Sequence, residues 1–227
     1  MKKIGIIVAM DKEMALLKEK IAQAKCTTIM NQPFYYGEYA KHPVVFTTAG
    51  IGKVNASIIT TLMIEHFQPD LIINSGIAGG YLQSLKPLDT VVATKVLYSD
   101  VDMTSPVIGG LPFGQMEGSP KCFLPNTSLC KGDALHFGTI LSGDQFVDNY
   151  EKTKQLVNRY FSDYDVIAVD MESSAISHVC TKFQIPFLII RSISDVIGKS
   201  NEMDYDKFSY LASNKSCDAV LNIIQSI

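Results

Sequence analysis

Apolar residues along this chain follow two alternating rhythms. Short runs rich in β-branched side chains fall at 3–9, 35–39, 43–48, 69–75, 89–97, 136–142, 165–171 and 186–194, each the length of a strand. Between them, Val54, Ile58, Ile59, Leu62 and Met63 keep the spacing of one helix face, as do Ala175, Ile176, Val179, Cys180 and Phe183. A third stripe, Phe208, Leu211, Ala212, Ala219, Val220, Ile223 and Ile224, predicts a C-terminal helix over about 204–226. Strands alternating with helices predict an α/β fold, a sheet covered by helices on both faces. No linker, charge block or internal repeat divides the chain, so a single domain over 1–227 is expected. The longest irregular stretch, Asp102 to Pro125, is rich in Gly and Pro, and loops of that length are often functional.

Composition removes several function classes. The 227 residues are 47% hydrophobic and 19% charged with a formal charge of −3, so no basic excess points to nucleic acid. Met1-Lys2-Lys3 followed by Ile4 to Met10 imitates a signal peptide, but the apolar part is short and runs directly into Asp11-Lys12-Glu13, which predicts a first strand instead. No apolar run reaches the ~18 residues of a membrane span. A cytoplasmic location without membrane contact is expected. The five cysteines and four histidines show no metal-ligand spacing, so no metal site is expected.

Ligands of open α/β sheets bind outside the carboxyl ends of the strands, where loop amides and helix N-termini converge. Six clusters lie at such ends: Met10 to Glu13, Ala49 to Gly52, Ser75 to Gly80, Ser142 to Phe146, Asp170 to Glu172, and Arg191 to Asp195. The glycines fit neither the dinucleotide fingerprint nor a Walker A loop, because Asn55 takes the third small position and Lys53 lacks the required neighbours. The acids say more. Glu13, Glu172 and Asp195 come from three distant strand ends, and carboxylates gathered in one crevice shift each other's pKa values. Such groups suit glycosidic cleavage, one protonating the leaving group and another activating water. An exposed acid in the first turn of a helix is the plain alternative for Glu13, and helix-end electrostatics the alternative for Glu172.

The strings IGIIVAMDKEM, GIGKVNA, INSGIAGG, SGDQF, VDMESSAI and RSISD resemble, in order and over almost the whole chain, the motif series of the bacterial 5'-methylthioadenosine/S-adenosylhomocysteine nucleosidases of the nucleoside phosphorylase superfamily. The resemblance implies a single α/β domain built on a central twisted mixed sheet, a three-layer sandwich flanked by helices. It also implies a homodimer, and cofactor-free hydrolysis between adenine and the ribose of 5'-thio nucleosides, with nucleoside and water as the only small-molecule partners. By the same resemblance, Asp195 would protonate the purine at position 7, steadied by Ser194. Glu13 would deprotonate the attacking water with help from Arg191, and Glu172 would accept hydrogen bonds from the ribose hydroxyls. Phe146 would stack on the base, Val147 would offer it backbone hydrogen bonds, and Met171 would pack beneath the ribose. Met10, Ile51, Met103, Tyr205 and Phe208 would wall the 5'-alkylthio tail, with backbone contacts available at Ala78 and Gly79. Asp170 would point away and serve the fold. The chain departs from the family pattern at Ile77, at Asp170 and over the long 104–118 stretch.

Three rivals share this fold. A purine nucleoside phosphorylase needs a cationic phosphate clamp, yet Asn74 lies where phosphorylases tend to carry Arg. An aminodeoxyfutalosine nucleosidase would use the same residues on a different 5' tail. A non-catalytic adenine-nucleoside sensor would not require the acids.

Overall fold

The computed structural model describes residues 1–21, 23–132, 134–199 and 205–227, with backbone alone for 205–207. Its strands are β1 (Ile4–Val8), β2 (Lys25–Ile29), β3 (Gln32–Tyr39), β4 (His42–Thr48), β5 (Leu71–Gly80), β6 (Thr90–Tyr98), β7 (Leu135–Ser142), β8 (Val166–Asp170) and β9 (Phe187–Val196). They form one mixed sheet in the order β2-β3-β4-β1-β5-β8-β7-β6-β9. Because β9 also pairs with β5 in parallel, the strands β5, β8, β7, β6 and β9 close into a ring. The helices are α1 (Asp11–Lys20), α2 (Lys53–Phe67), α3 (Tyr150–Tyr160), α4 (Ser173–Phe183) and α5 (Tyr205–Ser226). None of the described helices is long and apolar enough to cross a membrane.

Strand alternation sorts the apolar residues into two cores. Ile4, Ile6 and Val8 of β1, Leu71 and Ile73 of β5, and Leu188 and Ile190 of β9 meet Met14 and Leu17 from α1, Ile21 just after it, and Val220 and Ile224 from α5. The intervening Ile7, Ile72 and Ile189 face the other way, onto Ala56, Ile59 and Met63 of α2 and Ala175, Ile176 and Cys180 of α4. Side chains two apart share a face of a strand, so strands buried on both sides read as unbroken apolar runs. The expected three-layer α/β architecture is the one observed.

Local differences have physical causes. β2 lies at the sheet edge with a largely exposed sequence, KCTTI, and carries no apolar run to announce it. Helix α3, YEKTKQLVNRY, keeps a helical period but is mostly polar and fully buries only Thr153 and Val157, so no apolar stripe announces it. β5 runs through the glycine cluster to Gly80 instead of turning at Ser75, because Gly79 and Gly80 remain paired to both β8 and β9.

Candidate active site

All six strand-end clusters contribute to one cleft enclosing about 800 Å3, counted out to its open mouth. Glu13 enters it from the first turn of α1. Its Oε2 accepts hydrogen bonds from the N–H groups of Ala9 and Met10, both at 2.9 Å, so the side chain folds back over the helix start as in a capping box. The end-of-helix reading of Glu13 is therefore half right. The residue does cap α1, but it is 2% exposed, and its second oxygen, Oε1, is buried without a partner among the described residues. Burial raises the Glu13 pKa above the ordinary carboxylate value, opposed by the Met10 amide and the Arg191 charge.

Glu172 stands at the N-cap of α4, and its Oε1 accepts from the Gly52 N–H at 3.0 Å. Burial, reinforced by the neighbouring Asp170, pushes its pKa up to about 7. Asp195 reaches the cleft from the end of β9, half-buried, with Ser194 Oγ donating to its Oδ1 at 2.6 Å. The register between β5 and β9 slips at this point: Ala78 faces Ile193, whereas Gly79 faces Asp195. A bulge of this kind re-aims side chains, and it brings the consecutive Ser194 and Asp195 to the same cleft.

Beneath the acids lies a fully buried cation. Arg191 is 1% exposed, and its Nε and Nη2 lie 2.9 and 2.7 Å from Asp170 Oδ2. Nη1 donates to the carbonyls of Asn74 and Ile190, and Nη2 also donates to Asn74 Oδ1. Those contacts amount to four hydrogen bonds and an ion pair, so each of the three guanidinium nitrogens has a partner. Arg191 makes no hydrogen bond to Glu13 and acts on it by charge, so the help expected of it toward the attacking water would come through that charge. Asp170 serves the fold as expected: although the residue borders the cleft, both oxygens are committed, Oδ2 to Arg191 and Oδ1 to the Ser173 N–H and hydroxyl.

Met10, Ile51, Ala78, Gly79, Phe146, Val147 and Met171 all line the cleft. Ile51 and Phe146, at 55% and 66% exposed, stand at its mouth. Met103 and Phe208 are not among its described lining residues. Met103 packs against the core instead, because the loop folds back through bonds from Leu111 N to Met103 O and from Gly114 N to Val101 O, at 2.9 and 2.8 Å. Phe208 is half-buried in the first turns of α5, and the Tyr205 side chain lies outside the described residues.

Sequence reasoning noted Asn74 and Gly76 but gave neither its role in shaping the site. An asparagine inside the apolar run Leu71-Ile72-Ile73 was the available signal, since a buried polar side chain must find partners. Asn74 finds them in Arg191 and in the Ile7 carbonyl, 2.9 Å away. Gly76 leaves room for the base: a Cβ there would lie 3.0 Å from Glu13 Oε1 and press on it. Among the described residues, no group of three His, Cys, Asp or Glu side chains could hold a metal ion.

The sequence profile of the Phosphorylase superfamily matches residues 3–225. A 5'-methylthioadenosine/S-adenosylhomocysteine nucleosidase of Halalkalibacterium halodurans is 41% identical over 99% of this chain and 98% of its own length. The chain belongs to this nucleosidase family of the phosphorylase superfamily. The family member of Bacillus subtilis is 34% identical, with 99% of both chains covered. Among solved structures, the Neisseria meningitidis nucleosidase in complex with methylthio-immucillin-A superposes with a TM-score of 0.90 at 33% identity, covering 100% of both chains. The Colwellia psychrerythraea nucleosidase in complex with adenine gives 0.88 at 35% identity, covering 99% of this chain and 95% of that one. The family resemblance carried by the sequence motifs is thus confirmed over the full fold.

Proposed function

We propose that this protein hydrolyses the N-glycosidic bond of 5'-methylthioadenosine and S-adenosylhomocysteine, releasing adenine and the thio-substituted ribose. The observation that carries the reading is the buried, unpartnered Glu13 Oε1, facing a cleft shared with Glu172 and Asp195. A carboxylate whose pKa burial has raised is a better general base near neutral pH than an exposed one. Water bound at Oε1 gives a proton to Glu13 as its oxygen bonds to the anomeric carbon. The bond from that carbon to the purine nitrogen breaks, and Asp195 delivers a proton to position 7 so that adenine leaves uncharged. Glu172 accepts hydrogen bonds from the ribose hydroxyls, and its charge favours the cationic sugar as it forms. Phe146 and Val147 hold the base, and Met10 and Met171 pack against the sugar and its thioether.

The committed donors of Arg191 favour water over phosphate as nucleophile. It is the one basic residue among the described lining residues, and its guanidinium is already paired with Asp170 and hydrogen-bonded to Asn74 and Ile190. The test is product analysis with methylthioadenosine, adenosylhomocysteine and aminodeoxyfutalosine, each with and without phosphate. Free adenine and free sugar at a phosphate-independent rate support hydrolysis, whereas strict phosphate dependence would establish phosphorolysis.

A homodimer completes the proposal. On the outer face of α2 and the turn before it, Ile51, Val54 and Ile58 are 55%, 69% and 53% exposed, an apolar stripe suited to a second copy. Sedimentation at a dimeric mass supports it, and a monomer at micromolar concentration rejects it. Five free cysteines fit a reducing cytoplasm.

A further inference from the structure

Beside the catalytic cleft lies an ion cluster that the proposed chemistry does not use. Lys53 Nζ is 2.7 Å from both carboxylate oxygens of Asp100 and 3.9 Å from Asp144 Oδ2. Asp100 Oδ2 also accepts from the Asp144 N–H at 2.8 Å, and Asp144 Oδ1 accepts from the Lys53 N–H at 2.7 Å. The three residues come from three elements: Lys53 opens α2, Asp100 follows β6 and Asp144 follows β7. Side-chain exposures of 21% for Lys53 and 16% for Asp100 leave the pair less screened than one on open surface.

The start of α2 explains why such a cluster is needed. A helix leaves its first N–H groups without intrahelical acceptors, and here the N-cap is Gly52 and no acid lies in the first turn. Acceptors come instead from two other strand ends. Asp144 takes the Lys53 N–H, and Glu172 takes the Gly52 N–H. Gly52 itself has φ +95°, a conformation that favours glycine, and a Cβ there would press on Asp144 Oδ1 at 3.0 Å. On one side of the cluster the chain continues from Gly52 back to Ile51, and on the other from Asp144 into Gln145, Phe146 and Val147. Both sides line the cleft. None of the cluster's bonds reaches Glu13 or Asp195.

Resting on the nucleosidase reading above, we propose that Lys53, Asp100 and Asp144 act as positioning residues, a clamp that holds the Gly52 amide against Glu172 and fixes the Gln145 to Val147 wall opposite, thereby setting nucleoside affinity. With the clamp opened, the ribose-binding carboxylate and the base-stacking wall lose their common reference while the proton-transfer groups stay in place. Binding shared by ground state and transition state is lost, which raises KM more than it lowers kcat. A second signature follows from Glu172, which also faces Asp170, Arg191 and Glu13. The Gly52 amide is one of the groups restraining its upward pKa shift, so a loosened amide moves the acid limb of the kcat/KM profile to higher pH.

Lys53→Met and Asp100→Asn test the clamp, with Lys53→Arg as the conservative rescue. The expected result with methylthioadenosine is a KM increase on the order of tenfold and a kcat change within about threefold, as for loss of a charge-assisted hydrogen bond that serves binding. Lys53→Arg restores most of the affinity. Hydrogen exchange of the substrate-free protein reads the clamp independently of turnover: exchange accelerates together in the 49–56 and 143–147 segments. An unchanged KM with unchanged exchange in those segments overturns the inference, as does acceleration spread evenly over the chain, which marks a merely structural pair. A wild-type enzyme that releases no adenine rejects the functional reading instead, and the exchange comparison then still decides the clamp. Should Lys53→Met fail to fold, Asp100→Asn carries the same measurements.

Discussion

Gly76→Ala isolates the space in front of the catalytic base. The glycine has no need of unusual backbone dihedrals, so alanine brings no conformational strain, and the effect of the substitution is steric. Its Cβ would sit 3.0 Å from Glu13 Oε1, 3.7 Å from Cδ and 3.8 Å from Arg191 Nη1. Something must give by a few tenths of an ångström. The backbone resists, because Gly76 pairs with Arg191 between β5 and β9 and its N–H donates to Ser216 Oγ at 3.1 Å. The Glu13 side chain resists as well, since moving it stretches two backbone hydrogen bonds to Oε2, each charge-assisted and worth roughly 1.5–3 kcal/mol. The methyl group also takes room from a water at Oε1. Misplacement of a reacting group by about 1 Å can cost on the order of 10²-fold, so a displacement of several tenths predicts a kcat lower by roughly 10- to 100-fold. KM for methylthioadenosine stays near the wild-type value. The Tm falls by no more than about 4 °C, the shift expected for ~1 kcal/mol in a chain of this size. Stopped-time chromatography of released adenine, with a thermal melt of the same preparation, makes the comparison. A variant with wild-type kcat would show that the base does not act at this position.

Asp195→Asn should retain adenine binding by calorimetry but lose on the order of 10²–10⁴ in turnover, and near-normal release of adenine would remove it as the acid. Asp170→Leu leaves the buried Arg191 charge uncompensated and should destabilise the protein by roughly 3–5 kcal/mol in urea unfolding; a loss below about 1 kcal/mol contradicts the ion-pair account. The raised Glu172 pKa has a stability signature. Between the ordinary carboxylate value of 4.5 and about 7, folded Glu172 keeps a proton that the unfolded chain has released, so its contribution is present at low pH and lost as pH rises through about 7. Glu172→Gln should flatten that part of the urea midpoint profile between pH 5 and 8, and an unaltered slope would argue that Glu172 ionises normally.

The sheet was readable because its strands are buried on both faces, so that β1, β5 and β9 stand out as apolar runs. β2 and α3 were not, since the edge strand KCTTI carries no apolar run and α3 is mostly polar, its few apolar residues gathered on one face. At the site, acids and glycines following strands marked every wall of the cleft, because strand ends are where a buried sheet must meet polar groups. Pairing among them was hidden. Whether Arg191 reached Glu13 or Asp170 depended on β8 and β9 both flanking β5 within the closed ring, and nothing in local spacing encodes that. Within one protomer Met103 stands apart from the cleft for a similar reason, as the return of the chain at Leu111 and Gly114 packs it against the core.

The central claim is geometric: three carboxylates surround the bond between a nucleoside's base and sugar. A crystal structure of the protein bound to methylthio-immucillin-A tests it directly. The account predicts an ordered water within hydrogen-bonding distance of Glu13 Oε1 and below the anomeric position, Glu172 on the sugar hydroxyls, and Asp195 on the base nitrogen corresponding to position 7. A ligand seated in this cleft with Glu13 and Asp195 out of reach of those atoms would contradict it.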